Sequence, residues 1–217
     1  MSTPDHNKLI AKIAKSVLAP IGCIQKGKSR VWLDDHGWWV GVIEFQPSAW
    51  AKGSYLNVGA HWLWYEKEFF SFDDGADAGE SRVESFHQFD TGEQFEASVT
   101  KLAQRSVEEI IKLRCRHSSV AASATYLRQK KAKDIWGRYH AGVSAGLTGD
   151  TATARNELET VMRDKFDFPW VLDLKQCTAV LLQEVHDTAA FRTRISGVVA
   201  RSRTLLKLPE RVVTLEQ

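Results

Sequence analysis

The chain has 217 residues, 43% of them hydrophobic and 26% charged, with a formal net charge of +2. These are ordinary proportions for a soluble globular protein, either one large domain or two small ones. They exclude a membrane-spanning helix, because no apolar run approaches the roughly 20 residues one needs.

Lys8, Lys12 and Lys15 fall inside the apolar pattern of the opening residues, where a secretory signal has an unbroken apolar stretch. Cys23, Cys115 and Cys177 form no CxxC pair and no even framework. Free thiols in a reducing compartment are expected, which places the protein in the cytoplasm.

Thr3-Pro4 reads as an N-cap followed by proline at the first helical position. Leu9, Ile10, Ile13, Val17 and Leu18 then share one helical stripe, and Pro20 and Gly22 close the helix. From Gly27 to Tyr65 the period becomes strand-like. Ser29 to Leu33 is a short strand, Asp34 to Gly37 a turn and Trp38 to Gln46 a second strand. Pro47 opens a loop, and Ser54 to Tyr65 is a third strand. The short links imply antiparallel pairing. A fourth strand is placed around Arg82 to Phe89, after a polar stretch whose tip, "DDGADAGE", is expected as a solvated acidic loop. Thr91 and Gln94 form a capping box for a helix through Phe95, Val99, Leu102, Ile110 and Leu113 to Arg116.

Beyond His117 the composition turns alanine-rich. Helices are expected around Ile135 to Leu147, Thr151 to Asp164, Trp170 to Val185 and Thr188 to Leu206. Gly149 is placed as a C-cap, Asp150 and Asp187 as N-caps, and "KFDFP" as a helix terminator. The expected fold class is α+β: a three- or four-stranded antiparallel meander packed by helices, then an all-helical half of antiparallel hairpins. The expected division is 1–117 for the α+β domain and 118–217 for the helical one.

Six of the eight tryptophans lie between Trp32 and Trp64. Strand alternation puts Trp39, Gly41, Ile43 and Phe45 on one face of the second strand, with Trp38, Glu44 and Gln46 on the other. On the third strand, Tyr55, Asn57, Gly59 and His61 oppose Leu56, Val58, Ala60, Trp62 and Trp64. Each strand therefore carries an apolar face that must be covered, and at least four of the six tryptophans are expected to pack in the core. Gly41 and Gly59 mark either a bulge or a close approach to the strands by something large, such as an indole. If the polar faces coincide, Glu44, Gln46, Asn57 and His61 gather between Trp38 and Tyr55. That surface is either an aromatic-walled site or a set of polar groups that satisfy one another.

Ile21 to Gly59 resembles a bacterial family known as domain of unknown function 4304. Gly22, Lys26, Arg30, Trp32, Ile43, Gln46, Ser48, Tyr55, Asn57 and Gly59 carry the pattern, and Cys23 stands where the pattern has an aromatic residue. The resemblance implies an α+β domain and no activity. It adds weight to Arg30, Gln46 and Asn57. The candidate binding residues are thus Arg30, Trp38, Glu44, Gln46, Tyr55, Asn57 and His61.

Charge is unevenly spread. From Glu66 to Glu96 ten acidic residues stand against Lys67 and Arg82, and from Lys101 to Arg138 ten basic ones stand against Glu108, Glu109 and Asp134. Such asymmetry marks a binding face or two segments that lie together. No phosphate-binding loop, dinucleotide fingerprint, serine-nucleophile elbow or metal-ligand spacing is present, so the reading includes no cofactor and no metal and leans away from an enzyme.

Three functions follow. A cytoplasmic protein-binding module, of adaptor or immunity type, leads, and it predicts an exposed apolar patch on the sheet or the helical half. Homodimerisation through the opposed charged segments stays open. A small-molecule site or enzyme would instead hold Glu44 and His61 within about 4 Å of each other. Nucleic-acid binding through Arg114, Arg116, Lys130, Lys131 and Lys133 comes last, because the net charge is small and no reader motif is present.

Overall fold

The computed structural model describes residues 6–76 and 80–215. The Thr3-Pro4 cap and Asp77 lie outside the described residues. The protein is α+β, with an antiparallel sheet in the first half and helices through the second. It divides into two compact units, Met1–His61 with Phe70–Cys115, and Trp62–Phe69 with Arg116–Gln217.

In the first unit, helix α1 (His6–Leu18) buries Leu9, Ile10, Ile13 and Leu18 of the stripe its spacing predicts, together with Ala14, while Val17 is half-buried. Six strands follow: β1 (Ile24–Gln25), β2 (Val31–Asp35), β3 (Trp39–Glu44), β4 (Gly53–Trp62), β5 (Asp74–Gly75) and β6 (Arg82–Gln88). Their order in the sheet is β1-β2-β3-β4-β5, with β6 also on β4. The expected meander is therefore extended by the two-residue strands β1 and β5, which are too short to show a periodicity.

The turn expected at Asp34 starts later, because Asp34 and Asp35 pair with Gly41 and Val40 inside the sheet. Asp34 is buried there and held by Arg114 from helix α2 (Gly92–Arg116). That helix lays Phe95, Val99, Leu102, Ile110 and Leu113 into the core. At its start Gln94 N–H donates to Thr91 Oγ1 at 3.2 Å, and the Gln94 side chain accepts from Asp90 N–H at 3.3 Å. The box is thus closed on the residue before the threonine.

Gly41 and Gly59 do admit close neighbours. A Cβ on Gly41 would stand 2.8 Å from Ile110 Cδ1 and 3.1 Å from Asp34 Cβ, and one on Gly59 would stand 2.9 Å from the Asp74 carbonyl oxygen. Trp32, Trp38, Trp39, Trp62 and Trp64 are buried, while Trp50 stands 96% exposed in the loop between β3 and β4.

The second unit holds α3 (Val120–Lys130), α4 (Ile135–Thr148), α5 (Thr151–Met162), α6 (Pro169–Glu184) and α7 (Thr188–Leu205). Ser119, Asp134, Asp150 and Asp187 each cap the following helix by accepting a backbone N–H. Such caps stabilise a helix by about 1 kcal/mol. Residues Tyr139 to Leu147 of α4 are buried without a break, as expected of a central helix with apolar sides all round. Its small residues make this possible. A Cβ on Gly142 would meet Leu158 at 2.8 Å, and one on Gly146 would meet Phe191 at 2.6 Å.

Candidate functional site

The sheet brings together some of the residues the sequence singles out. Asn57 is the centre of that cluster. Its Nδ2 donates to Glu44 Oε2 and to Gln46 Oε1, both at 2.9 Å, and its Oδ1 accepts from Arg82 Nε at 2.7 Å. Arg82 also donates to Gln46 Oε1 at 2.6 Å and lies 4.1 Å over the Tyr55 ring. Both amide hydrogens of Asn57 and its carbonyl oxygen are therefore used within the network. It reads as a sheet face whose polar groups satisfy one another.

Arg30, Trp38 and His61 sit elsewhere. Arg30 donates to Asn7 Oδ1 at 2.9 Å and to the Gly53 carbonyl at 3.0 Å, tying α1 to the start of β4. With Glu44 it also borders an open depression of about 670 Å³. Trp38 is buried beside Trp39. His61 lies farther along β4 than Asn57, roughly 13 Å away at about 3.3 Å per residue.

His61 has its own partners. Its Nδ1 lies 2.9 Å from Ser71 Oγ, accepts Ser71 N–H at 3.2 Å and is 3.3 Å from Asp73 Oδ2. Ser71 Oγ donates to Asp73 Oδ1 at 2.8 Å. A serine–histidine–aspartate relay needs serine and aspartate at opposite ring nitrogens. Here both stand at Nδ1, and Nε2 is buried without a hydrogen-bond partner among the described residues. The trio is a clamp that fastens the segment after Phe70 to β4. The acidic loop is correspondingly less solvated than expected, because Asp74 is buried and Asp73 is drawn in by this clamp.

A second polar centre joins Asp34, His36 and Arg114. His36 Nε2 is 2.7 Å from Asp34 Oδ2, and Arg114 donates to both carboxylate oxygens at 2.9 and 2.7 Å. Burial alone would raise the Asp34 carboxyl, but the hydrogen bonds from His36 and Arg114 outweigh it and hold the carboxyl below the usual aspartate value. Burial and the nearby Asp34 push the Cys23 thiol up to about 12. Arg114 also donates to the Ile21 carbonyl at 2.7 Å, so this centre is a structural tie between α2, β2 and the 3-10 turn that follows α1.

The charged segments find their partners in several places. Glu66 pairs with Arg201, Glu96 with Lys12, Arg105 and Lys112 with Glu109, and Arg138 with Glu157. In the basic tract, Arg116 lies 4.7 Å and Lys130 6.0 Å over the Tyr126 ring, which engages the ring that base stacking would need.

The surface with the clearest interaction chemistry lies in the second unit, in "KFDFPW". Phe166, Phe168 and Trp170 stack one on the next, and they are 60%, 53% and 44% exposed. Phe166 and Phe168 are nearly parallel with ring centroids 5.7 Å apart, as are Phe168 and Trp170 at 6.4 Å and Trp170 and Trp136 at 5.7 Å. Trp136 anchors the row, stacking on buried His140 at 6.0 Å with Lys67 Nζ 4.6 Å over its ring. The backbone beneath is held as well. Lys175 Nζ donates to the Asp164 and Phe166 carbonyls at 2.6 and 3.2 Å, and Phe166 N–H donates to Asp164 Oδ1 at 2.9 Å. Pro169 then starts α6. The alternation of aromatics was visible in the sequence, where "KFDFP" reads only as a helix terminator.

No family model, no curated protein and no solved structure matches this chain.

Proposed function

We propose that this protein is a non-enzymatic protein-binding module that docks a partner protein on the aromatic row Phe166–Phe168–Trp170. The observation that carries the reading is the row itself: three large rings presented to solvent in one near-parallel stack, on a backbone already fixed. Covering apolar surface is favourable by about 25 cal/mol per Å², and contiguous exposed aromatics are the usual anchors of protein interfaces. A fixed backbone lowers the ordering cost of binding. Cytoplasmic location and kinship with the 4304 domain family belong to the same proposal, and that kinship brings no activity of its own.

The sheet favours this reading over an enzyme acting through Glu44 and His61, since each of those residues is engaged in a different network. Capture of proteins on the immobilised chain, wild type beside a Phe168→Ser/Trp170→Ser variant with the same melting curve, tests the proposal. One protein retained in stoichiometric amount by the wild type and lost by the variant is the expected result. Equal retention by both forms, or no retained protein, would contradict it.

A further inference from the structure

We propose that the second unit also contains a binding site for a small apolar carboxylate, its body in a cavity between α6, α7 and residues 64–66 and its carboxylate on Arg201 and Tyr65. This site is separate from the aromatic row and does not depend on the docking function.

The cavity measures about 390 Å³, within the range of roughly 300–1,000 Å³ typical of small-molecule sites. Val180, Leu181, Ile195 and Val198 supply aliphatic walls, and Trp64 and Tyr139 supply aromatic ones. Such walls select an apolar body, a short alkyl chain or a single ring.

The polar groups decide what the ligand's head must be. Arg194 already grips a carboxylate, its Nε and Nη2 both donating to Glu184. Tyr139 is spent, its hydroxyl donating to the Trp64 carbonyl at 3.1 Å. Arg201 is only half used. Its Nε donates to Glu66 Oε1 at 2.8 Å, while its two Nη groups donate to none of the described residues. The Nη fork matches a carboxylate, which it can grip through two parallel bonds. The Tyr65 hydroxyl likewise has no hydrogen-bond partner among the described residues and supplies a second donor.

Two carboxylates bear on the cavity, Glu66 and Asp173, and after burial both help to raise the Tyr65 phenol and the Cys177 thiol. Burial pushes the Tyr65 phenol up to about 12 and the Tyr139 phenol well above its ordinary value, and it raises the Cys177 thiol. All three therefore stay protonated near neutrality. Glu66 holds the Nε side of the Arg201 guanidinium, so an incoming carboxylate takes the Nη end and meets some repulsion from Glu66.

Calorimetric titration of the full chain with octanoate, and separately with octanol, tests the site. Octanoate is expected to bind at one site and more tightly than octanol. Arg201→Gln is expected to weaken octanoate by about tenfold or more and leave octanol unchanged, while Glu66→Gln strengthens octanoate. Val198→Trp, which fills the cavity, is expected to remove both ligands. If that variant melts early, Val180→Trp at the exposed rim replaces it. No binding of octanoate at millimolar concentration would overturn the proposal, as would octanoate and octanol binding equally well with no effect of Arg201→Gln.

Discussion

Trp170 lies flat against Trp136, with ring centroids 5.7 Å apart and planes 12° from parallel. This contact joins an exposed residue of α6 to a half-buried one of α4, and it separates what the aromatic row does for stability from what it does for binding. Trp136→Ala should cost about 2–3 kcal/mol, because it removes the ring on which Trp170, Lys67 and His140 rest. Phe166→Ser and Phe168→Ser should each change stability by less than about 0.5 kcal/mol, as surface substitutions do. Urea denaturation of the three variants measures the difference. A Phe168→Ser variant as unstable as Trp136→Ala would show that the row is packing and not a docking surface.

Asn57 should behave as the keystone of its network. Asn57→Ala leaves Glu44, Gln46 and Arg82 without their shared partner, at a cost of about 2 kcal/mol. Asn57→Asp should cost more, because it sets a second carboxylate against Glu44. Chemical denaturation of the two variants tests the ranking. An Asn57→Ala variant as stable as the wild type would remove the network from the stabilising interactions.

The Asp34 centre predicts an acid dependence with a definite sign. The folded carboxyl lies below the ordinary aspartate value of 3.8. Its contribution to stability is therefore fully present above that value and is lost as pH falls through the lower folded value. Wild type should lose more stability than Asp34→Asn between about pH 5 and about pH 3. Parallel pH profiles would contradict the assignment. Arg114→Met, which leaves a buried carboxylate uncompensated, should cost about 3 kcal/mol near neutral pH.

Gly41 and Ile110 should couple. Gly41→Ala places a Cβ 2.8 Å from Ile110 Cδ1 and should cost about 1–3 kcal/mol through overpacking. Ile110→Val removes that methyl group. The double variant should be more stable than the sum of the single effects predicts, by more than about 0.5 kcal/mol. Simple additivity would mean that the clash lies with Asp34 Cβ, at 3.1 Å.

Local signals made much of this fold readable. The stripe of α1, the alternation along β3 and β4, and the caps at Asp150 and Asp187 are all encoded within a few residues of where they act. Arg82 was not readable as a partner of Asn57, because the two meet only when β6 pairs with β4 across a stretch of polar chain. Asp73 and Asp74 look like loop residues by composition, and their burial depends on His61 and β4. Of the candidate residues, Glu44, Gln46, Tyr55 and Asn57 came together because strand alternation placed them correctly. Arg30 and His61 went to other partners because alternation fixes the face a side chain occupies and not its position along the strand. The aromatic row escaped notice because exposure depends on what the rest of the chain leaves uncovered, and a sequence does not display that.

The most direct measurement of docking on the aromatic row is calorimetric: the affinity of the captured partner for wild type and for Trp170→Ala. A loss of about thirtyfold or more, the size of an interface hot spot, is predicted, with the melting temperature nearly unchanged. An affinity within about twofold of wild type, in a variant that remains folded, would contradict docking on this surface.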